Sequence, residues 1–519
     1  MCIRRRYLVL PLATIWFSCI LSPAVAEKVS SYLAALESIN TTDLKRHVDY
    51  LADDKLEGRL PGTEGSRTAA QYIKTRFQRC QLRRAGIDGG FTQPFGSDYH
   101  NILGLLEGSD GGLKHQVVLI GAHYDHVGYG NRRNSRGPVG FIHNGADDNA
   151  SGVSGMLELA EALTLLPKPP KRSVLFVAWD AEELGMLGSK HWIAEPTVPL
   201  QNVVILLNMD MIGRLRENRV IVFGYRTGYG LRRLVTRHND TPGLLLDFSW
   251  DIRANADHHP FLLQDIPVLM FHTGLHDDYH RPSDDADLID HVGMRRVVRL
   301  MFGTLCDLAN QVEVTGCRQA ARHESSATRG QLLRRVPRLV DRLGAGWQEE
   351  ATPGKGVHLT RVVVGSPAHK AQLQPGDHIL RFAGREIRTS DDLTSAVRTA
   401  DQRASVVVQR PGRDEKLELT VELEGQPMRL GITWRTDDAE PGTIILTHVV
   451  PQSPAAAAGL KSGDRIYQVA GRDFPDDTEF AKRVRAISGP TPLLIERDGH
   501  LQTVIVRITA GPKAVRPAA

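Results

Sequence analysis

The sequence predicts an α/β domain over about residues 30–312, followed by two copies of one small domain. Two observations carry this. Short, continuous apolar runs alternate with helical patterns through the first three fifths of the chain, and the remainder repeats itself at a constant offset. The length of 519 residues agrees, because one hydrophobic core rarely grows beyond 250–300 residues.

The elements follow in order. Arg4, Arg5 and Arg6 precede an apolar run from Tyr7 to Leu21, and Ala24-Val25-Ala26 follows it. That pattern reads as a secretory signal peptide, residues 1–26, with cleavage expected after Ala26; the apolar run is short for the alternative, a membrane anchor. A signal peptide implies export to the periplasm or beyond the cell, with no membrane span left after cleavage. Residues 41–80 read as helical, with Ala69, Ala70, Tyr72, Ile73 and Phe77 recurring on one face. Runs at Val117–Ile120, Val174–Trp179, Val203–Leu207, Val220–Phe223 and Val268–Phe271 are β-branched and unbroken. Strands covered on both faces read this way. Helical patterns at Gly152–Leu166 and Met294–Leu308 complete the alternation of an α/β domain. Residues 313–335, polar and small around Glu324–Gly330, read as a linker.

The repeat begins after it. "RLGAGW" (Arg342–Trp347) returns as "RLGITW" (Arg429–Trp434), and "GSPAHKAQLQPGDHILRFAGREI" returns as "QSPAAAAGLKSGDRIYQVAGRDF". Leu343/Leu430, Pro367/Pro454, Gly376/Gly463 and Gly384/Gly471 all share the offset of 87. The two copies span 336–424 and 425–510. A small, Pro-rich tail, 511–519, closes the chain and reads as disordered.

Composition narrows the function. The chain has 64 basic and 60 acidic residues, a net charge of +4, and no basic block, which argues against a nucleic-acid partner. After signal removal three cysteines remain. The odd count argues against a disulfide framework and leaves room for one bridge, Cys306 to Cys317, in an oxidising compartment.

Charged side chains gather just after the apolar runs. His123 and Asp125 lie in "GAHYDHVG", Glu182 and Glu183 in "VAWDAEELG", Asp210 in "LNMDMIG" and His280 in "HDDYHRPSDD". Asp147 and Asp148 stand in "NGADDNASG", just before a predicted helix. In open α/β sheets the crevice at the carboxyl ends of the strands binds ligands, so these groups converge there. A single Asp or His after a strand is usually a cap or turn residue. Paired Asp, paired Glu and two His together are costly without cations. Their mixture of imidazole and carboxylate suits zinc and related ions.

The order His-x-Asp, Asp-Asp, Glu-Glu, Asp, His resembles the secreted co-catalytic dizinc aminopeptidases, a family that includes glutamate carboxypeptidase relatives. "GRLPGTEGSRTAAQYI" (Gly58–Ile73) resembles the family's N-terminal segment. The resemblance spans about residues 40–310. It implies a mixed, largely parallel sheet flanked by helices and two zinc ions. His123 and Asp210 would hold one zinc, Glu183 and His280 the other, and Asp147 would bridge them across a cis bond to Asp148. Asp125 would orient His123, and Glu182 would be the general base. "ADHHPF" resembles a further family segment, with no role assigned to Asp257 or His258. The reaction implied is hydrolysis of N-terminal residues from peptides.

The repeats resemble the PDZ domains of bacterial secreted proteases. This implies that Leu343-Gly344 and Leu430-Gly431 offer backbone N–H groups to a peptide's C-terminal carboxylate. Packing of one or both copies on the catalytic domain is the alternative. Two other functions compete: an inactive peptide-binding scaffold, against which all five ligands and Glu182 stand, and a glutaminyl-cyclase-like acyltransferase, which needs one zinc rather than two. The gap of 70 positions from Asp210 to His280 is too short for the inserted dimerisation domain of dizinc deacylases.

Overall fold

The computed structural model describes residues 23–334, 340–349 and 357–508. The expected signal segment before Pro23 and the tail 511–519 lie outside these residues. Among the described residues there are three sheets, each with its own core.

The first sheet has nine strands: β1 (Arg83–Arg84), β2 (Thr92–Phe95), β3 (Tyr99–Leu106), β4 (Val117–His123), β5 (Ser173–Trp179), β6 (Val203–Met209), β7 (Arg219–Phe223), β8 (Leu245–Phe248) and β9 (Val268–His272). The order is β1-β3-β5-β4-β6-β9-β7-β8, with β2 paired to β3. The central strands β5, β4, β6 and β9 run parallel, while β3 and β7 pair antiparallel to the outer members of that group. The sheet is therefore mixed and parallel at its centre, so the carboxyl ends of four strands open on one edge.

Side chains alternate across this sheet, as a strand requires. Val118, Ile120 and Ala122 enter the core on one face, with Phe176 and Leu207. Val117 and Leu119 enter the other, with Leu175 and Trp179. The first face is covered by α1 (Pro23–Ser38), α2 (Thr41–Leu51), α3 (Glu64–Arg79), α4 (Gly152–Thr164) and α8 (His291–Asn310). The second carries α5 (Leu187–Ala194) and α7 (His258–Leu262), which supply Trp192 and Phe261. A short helix, α6 (Leu231–Thr236), follows β7.

Two expectations change. The helical stretch 41–80 is broken between α2 and α3, where Asp54–Arg59 forms a tight, kinked turn and Thr63 caps α3. Cys80, Cys306 and Cys317 are all free. Cys306 packs in the core on one face of the sheet and Cys317 against the core on the other, so the bridge read from the sequence does not form.

The two smaller sheets share one topology. The first contains β10 (Ala345–Glu349), β11 (Val357–Val362), β12 (His378–Phe382), β13 (Arg385–Glu386), β14 (Arg403–Gln409) and β15 (Lys416–Glu422). The second contains β16 (Ile432–Arg435), β17 (Ile444–Val449), β18 (Arg465–Val469), β19 (Arg472–Asp473), β20 (Thr491–Arg497) and β21 (His500–Val506). Even the strand register keeps the sequence offset: His378 faces Gln409 in one copy, and Arg465 faces Glu496 in the other.

The second copy is locked onto the large domain. The buried Arg232 guanidinium forks onto Glu496 at 2.7 and 2.8 Å. Arg226 binds both Asp437, at 2.8 and 2.9 Å, and Glu324, at 2.6 and 3.0 Å. Gly230 N–H donates to the Ala439 carbonyl at 2.9 Å, and the Asn239 amide donates to the Gly499 carbonyl at 2.8 Å. A Cβ on Gly499 would stand 2.5 Å from Leu246 Cβ, so the hairpin turn needs glycine there. Gln409 occupies the position of Glu496 in the first copy, which has no carboxylate for such a pair. Residues 319–323 and 326–334, within the stretch read as a linker, form a tight turn and a helix, α9.

Removing one partner of a desolvated pair costs about 3–5 kcal/mol. Arg232→Met should therefore give the second repeat a separate, lower unfolding transition in calorimetry; a single unchanged transition would count against its docked role. The pair also sets a pH dependence. Burial raises the Glu496 carboxyl, but Arg232 outweighs it and brings the pKa down to about 2. A carboxyl lowered on folding stabilises above its unfolded pKa, near 4.3. That contribution is lost as pH falls from there toward 2.

Candidate metal centre

The edge formed by the ends of β4, β5, β6 and β9 gathers the charged motifs. His123 ends β4, and its Nε2 lies 3.3 Å from Asp148 Oδ1 and 3.7 Å from Asp210 Oδ1. His126 Nδ1 lies 2.9 Å from Glu183 Oε1 and 3.9 Å from Asp148 Oδ2. His280 Nε2 stands 3.1 Å from Asp148 Oδ2 and 3.2 Å from Glu183 Oε2. Two donor sets result, the buried His123/Asp148/Asp210 and His126/Asp148/Glu183 with Glu183 half-buried, each with its ligand atoms within 4.8 Å of one another. Asp148 belongs to both.

The turn after β5 explains how Glu182 and Glu183 reach this place. Ala181 has φ 56°, a left-handed conformation that bends the chain sharply. Asp180 turns away and accepts N–H bonds from His100 and Ala181, at 2.8 and 2.9 Å. The Glu182 and Glu183 N–H groups then both meet the Asp125 carboxylate, at 3.0 and 3.2 Å. Asp125 Oδ1 also lies 3.7 Å from His123 Nδ1. One buried carboxylate thus ties the end of β4 to the turn that carries both glutamates.

The residue bridging the donor sets is Asp148, not Asp147. The Asp147 carboxylate accepts the Gly213 N–H at 2.6 Å and faces His276 Nε2 at 3.2 Å, on the far side of the turn. Adjacent side chains in a turn diverge, and only Asp148 points between the imidazoles. The cis peptide likewise falls one residue later than read from the sequence, at Asp148–Asn149. Two partners hold this turn. The Asn149 amide donates to Met209 O at 2.9 Å and accepts the Met211 N–H at 3.2 Å, fixing the turn to the segment that carries Asp210. Asp284 accepts the N–H groups of Asp147 and Asp148 at 3.1 Å.

His126 also escaped the sequence reading. It was visible as the third ligand-type side chain of "GAHYDHVG". Asn149 and Asp284 carried no comparable signal, because their work is done through backbone contacts.

The electrostatics show what the site favours. Burial alone would suppress the imidazolium of His123, yet Asp125, Asp148 and Asp210 raise its pKa well above the usual value. Burial likewise opposes His280, which Asp148 and Glu183 raise to about 11. Burial and Asp148 push the Glu183 carboxyl up, and His126 and His280 outweigh them to bring it down to about 2. The carboxylates thus demand positive charge among them, and divalent cations would meet the same demand. His126 Nε2 is buried with no protein partner. The donor set, imidazole nitrogen plus carboxylate oxygen, fits zinc.

Glu182 behaves differently. No protein group among the described residues hydrogen-bonds its carboxylate. Burial raises its pKa well above the usual value, His123 opposes, and Asp257, Glu183 and Asp210 add to the rise. Burial also lifts Asp257 to about 7.

Residues 101–305 match the family model for Peptidase family M28, and residues 339–423 and 418–496 match models of the PDZ domain. Aminopeptidase YwaD of Bacillus subtilis is 29% identical over 208 residues, 38% of this chain and 41% of that protein. Leupeptin-inactivating enzyme 1 of Streptomyces exfoliatus is 26% identical over 255 residues, 48% of this chain and 52% of its own. The match thus spans about half the length of these curated relatives. Among solved structures, BSAP, a zinc aminopeptidase from Bacillus subtilis, is 16% identical and aligns with a TM-score of 0.43 over 53% of this chain and 97% of its own. The chain carries a peptidase family M28 domain followed by two PDZ domains.

Proposed function

We propose that this chain is an exported zinc aminopeptidase. The observation that carries the reading is the pair of donor sets sharing Asp148, with the unpartnered Glu182 carboxylate beside them. His123, Asp148 and Asp210 would hold one zinc. Asp148 and Glu183, with His126 or His280, would hold the other. Zinc bound there supplies Lewis-acid polarisation of a carbonyl and a lowered pKa for water. Glu182 takes the proton from the attacking water and gives it to the leaving amine. Asp125 keeps His123 and both glutamates in register during this transfer. The basic and apolar N-terminal run supports export.

The test is hydrolysis of an aminoacyl-arylamide panel in free and N-blocked forms, with zinc or with chelator. Chelator-sensitive cleavage of the free forms supports the reading. Cleavage confined to blocked forms, or insensitive to zinc removal, overturns it.

For the repeats we propose unequal roles. In the first copy, Leu343 and Gly344 N–H groups donate to the chain's own Asp341 carboxylate at 3.3 and 2.8 Å. An internal carboxylate thus occupies donors that a ligand's carboxylate would use. Met428 stands at that position in the second copy, and Gly431 N–H donates to its carbonyl at 2.7 Å. Asp341→Ala should strengthen binding of peptides with free C-termini by about tenfold, the worth of one charge-assisted hydrogen bond. Fluorescence anisotropy with free and amidated C-terminal peptides would measure it; equal binding before and after would reject the idea.

A further inference from the structure

Arg59 lies in none of the ligand motifs, yet it is buried to 1% exposure beneath them. Its guanidinium donates to four backbone carbonyls: Nε to Tyr124 at 2.7 Å, Nη1 to Leu51 at 2.5 Å and Asn144 at 2.6 Å, and Nη2 to Gly145 at 3.0 Å. Tyr124 sits between His123 and Asp125. Asn144 and Gly145 lead into the Asp148 turn. The backbone adds to the clasp, with His126 N–H donating to Arg59 O at 3.3 Å and Gly128 N–H to Gly58 O at 3.1 Å. A Cβ on Gly58, where φ is 67°, would lie 2.4 Å from the His143 carbonyl. The segment is therefore built for close contact with both active-site loops.

No acidic side chain among the described residues pairs with Arg59. Burying a guanidinium among neutral carbonyls is costly, and so calls for a compensating role. Burial lowers its pKa to about 10, against the pull of Asp125, Asp148, Asp284 and Glu183, so it stays charged at neutral pH.

We propose that Arg59 is the positioning residue of the metal centre. Its guanidinium fixes the segment after His123 against the turn before Asp148, so both donor sets are assembled before any ion arrives. This rests on the reading of Asp148 as the shared ligand. Geometry and charge predict opposite signs. If the fixed charge mattered most, removing it would tighten cation binding; if the clasp matters most, removal weakens it.

The experiment uses the full chain and its Arg59→Met and Arg59→Lys variants. Zinc affinity is read by competition against a chromophoric chelator, with thermal unfolding in chelator to confirm that each variant folds. The expected result for Arg59→Met is affinity weakened by about 10–100-fold, as for other residues that orient metal ligands. Arg59→Lys keeps the charge but reaches fewer carbonyls, so it should fall between the two. It decides the matter if Arg59→Met does not fold. Affinity within twofold of the unaltered chain, or tighter, overturns the proposal. Failure of the unaltered chain to bind zinc would instead remove the metal centre, and this inference with it.

Discussion

Glu182→Gln is expected to lower turnover by about 10²–10⁴-fold, the usual worth of a positioned general base, with zinc content unchanged. Several features make this substitution selective. The Glu182 N–H to Asp125 bond is made by the backbone and survives the exchange. Glutamine has nearly the same volume, so packing persists. What disappears is the ability to accept a proton beside His123 and Asp210. Glu182 lies outside both donor sets, so metal analysis should match the unaltered chain. Arylamide hydrolysis alongside elemental analysis checks both halves. Retained turnover with zinc bound would place the base elsewhere, with Asp257 next to be tested. Lost zinc would make Glu182 a ligand.

The second large effect separates two neighbours. Asp148→Asn should reduce zinc content from about two to less than one per chain and abolish activity, because this carboxylate serves both donor sets. Asp147→Asn should keep zinc and most turnover. The exchange weakens the charge-assisted bond accepted from the Gly213 N–H and removes a carboxylate oxygen facing His276 Nε2, about 1–3 kcal/mol of stability. Elemental analysis and thermal unfolding of the two variants side by side measure the contrast. The opposite pattern would return the bridging role to Asp147.

That contrast marks where the sequence stops being informative. Five strands were legible because their apolar runs are continuous, as at Val174–Trp179, although β7 is half-buried rather than covered on both faces. The gathering of His123, Glu182, Glu183, Asp210 and His280 was legible because all follow parallel strands whose ends share one edge. The choice between Asp147 and Asp148 was not. Two identical neighbours differ only in which way the turn aims them, and that is decided by distant contacts from Asn149 and Asp284. The strands β1, β2, β3 and β8 were missed for a related reason, being short or flanked by turns rather than continuously apolar. Asp341 was invisible because its effect is local geometry, not composition.

Arg226 carries a consequence for how the chain is put together. It grips Glu324, just before the first repeat, and Asp437, just inside the second. The whole first repeat is thereby closed off between two points that meet on one guanidinium. It is held as a looped-out insertion rather than as a bead on a string. Its loop-closure entropy is met once, by contacts outside itself, so the repeat is kept at bounded reach from the large domain.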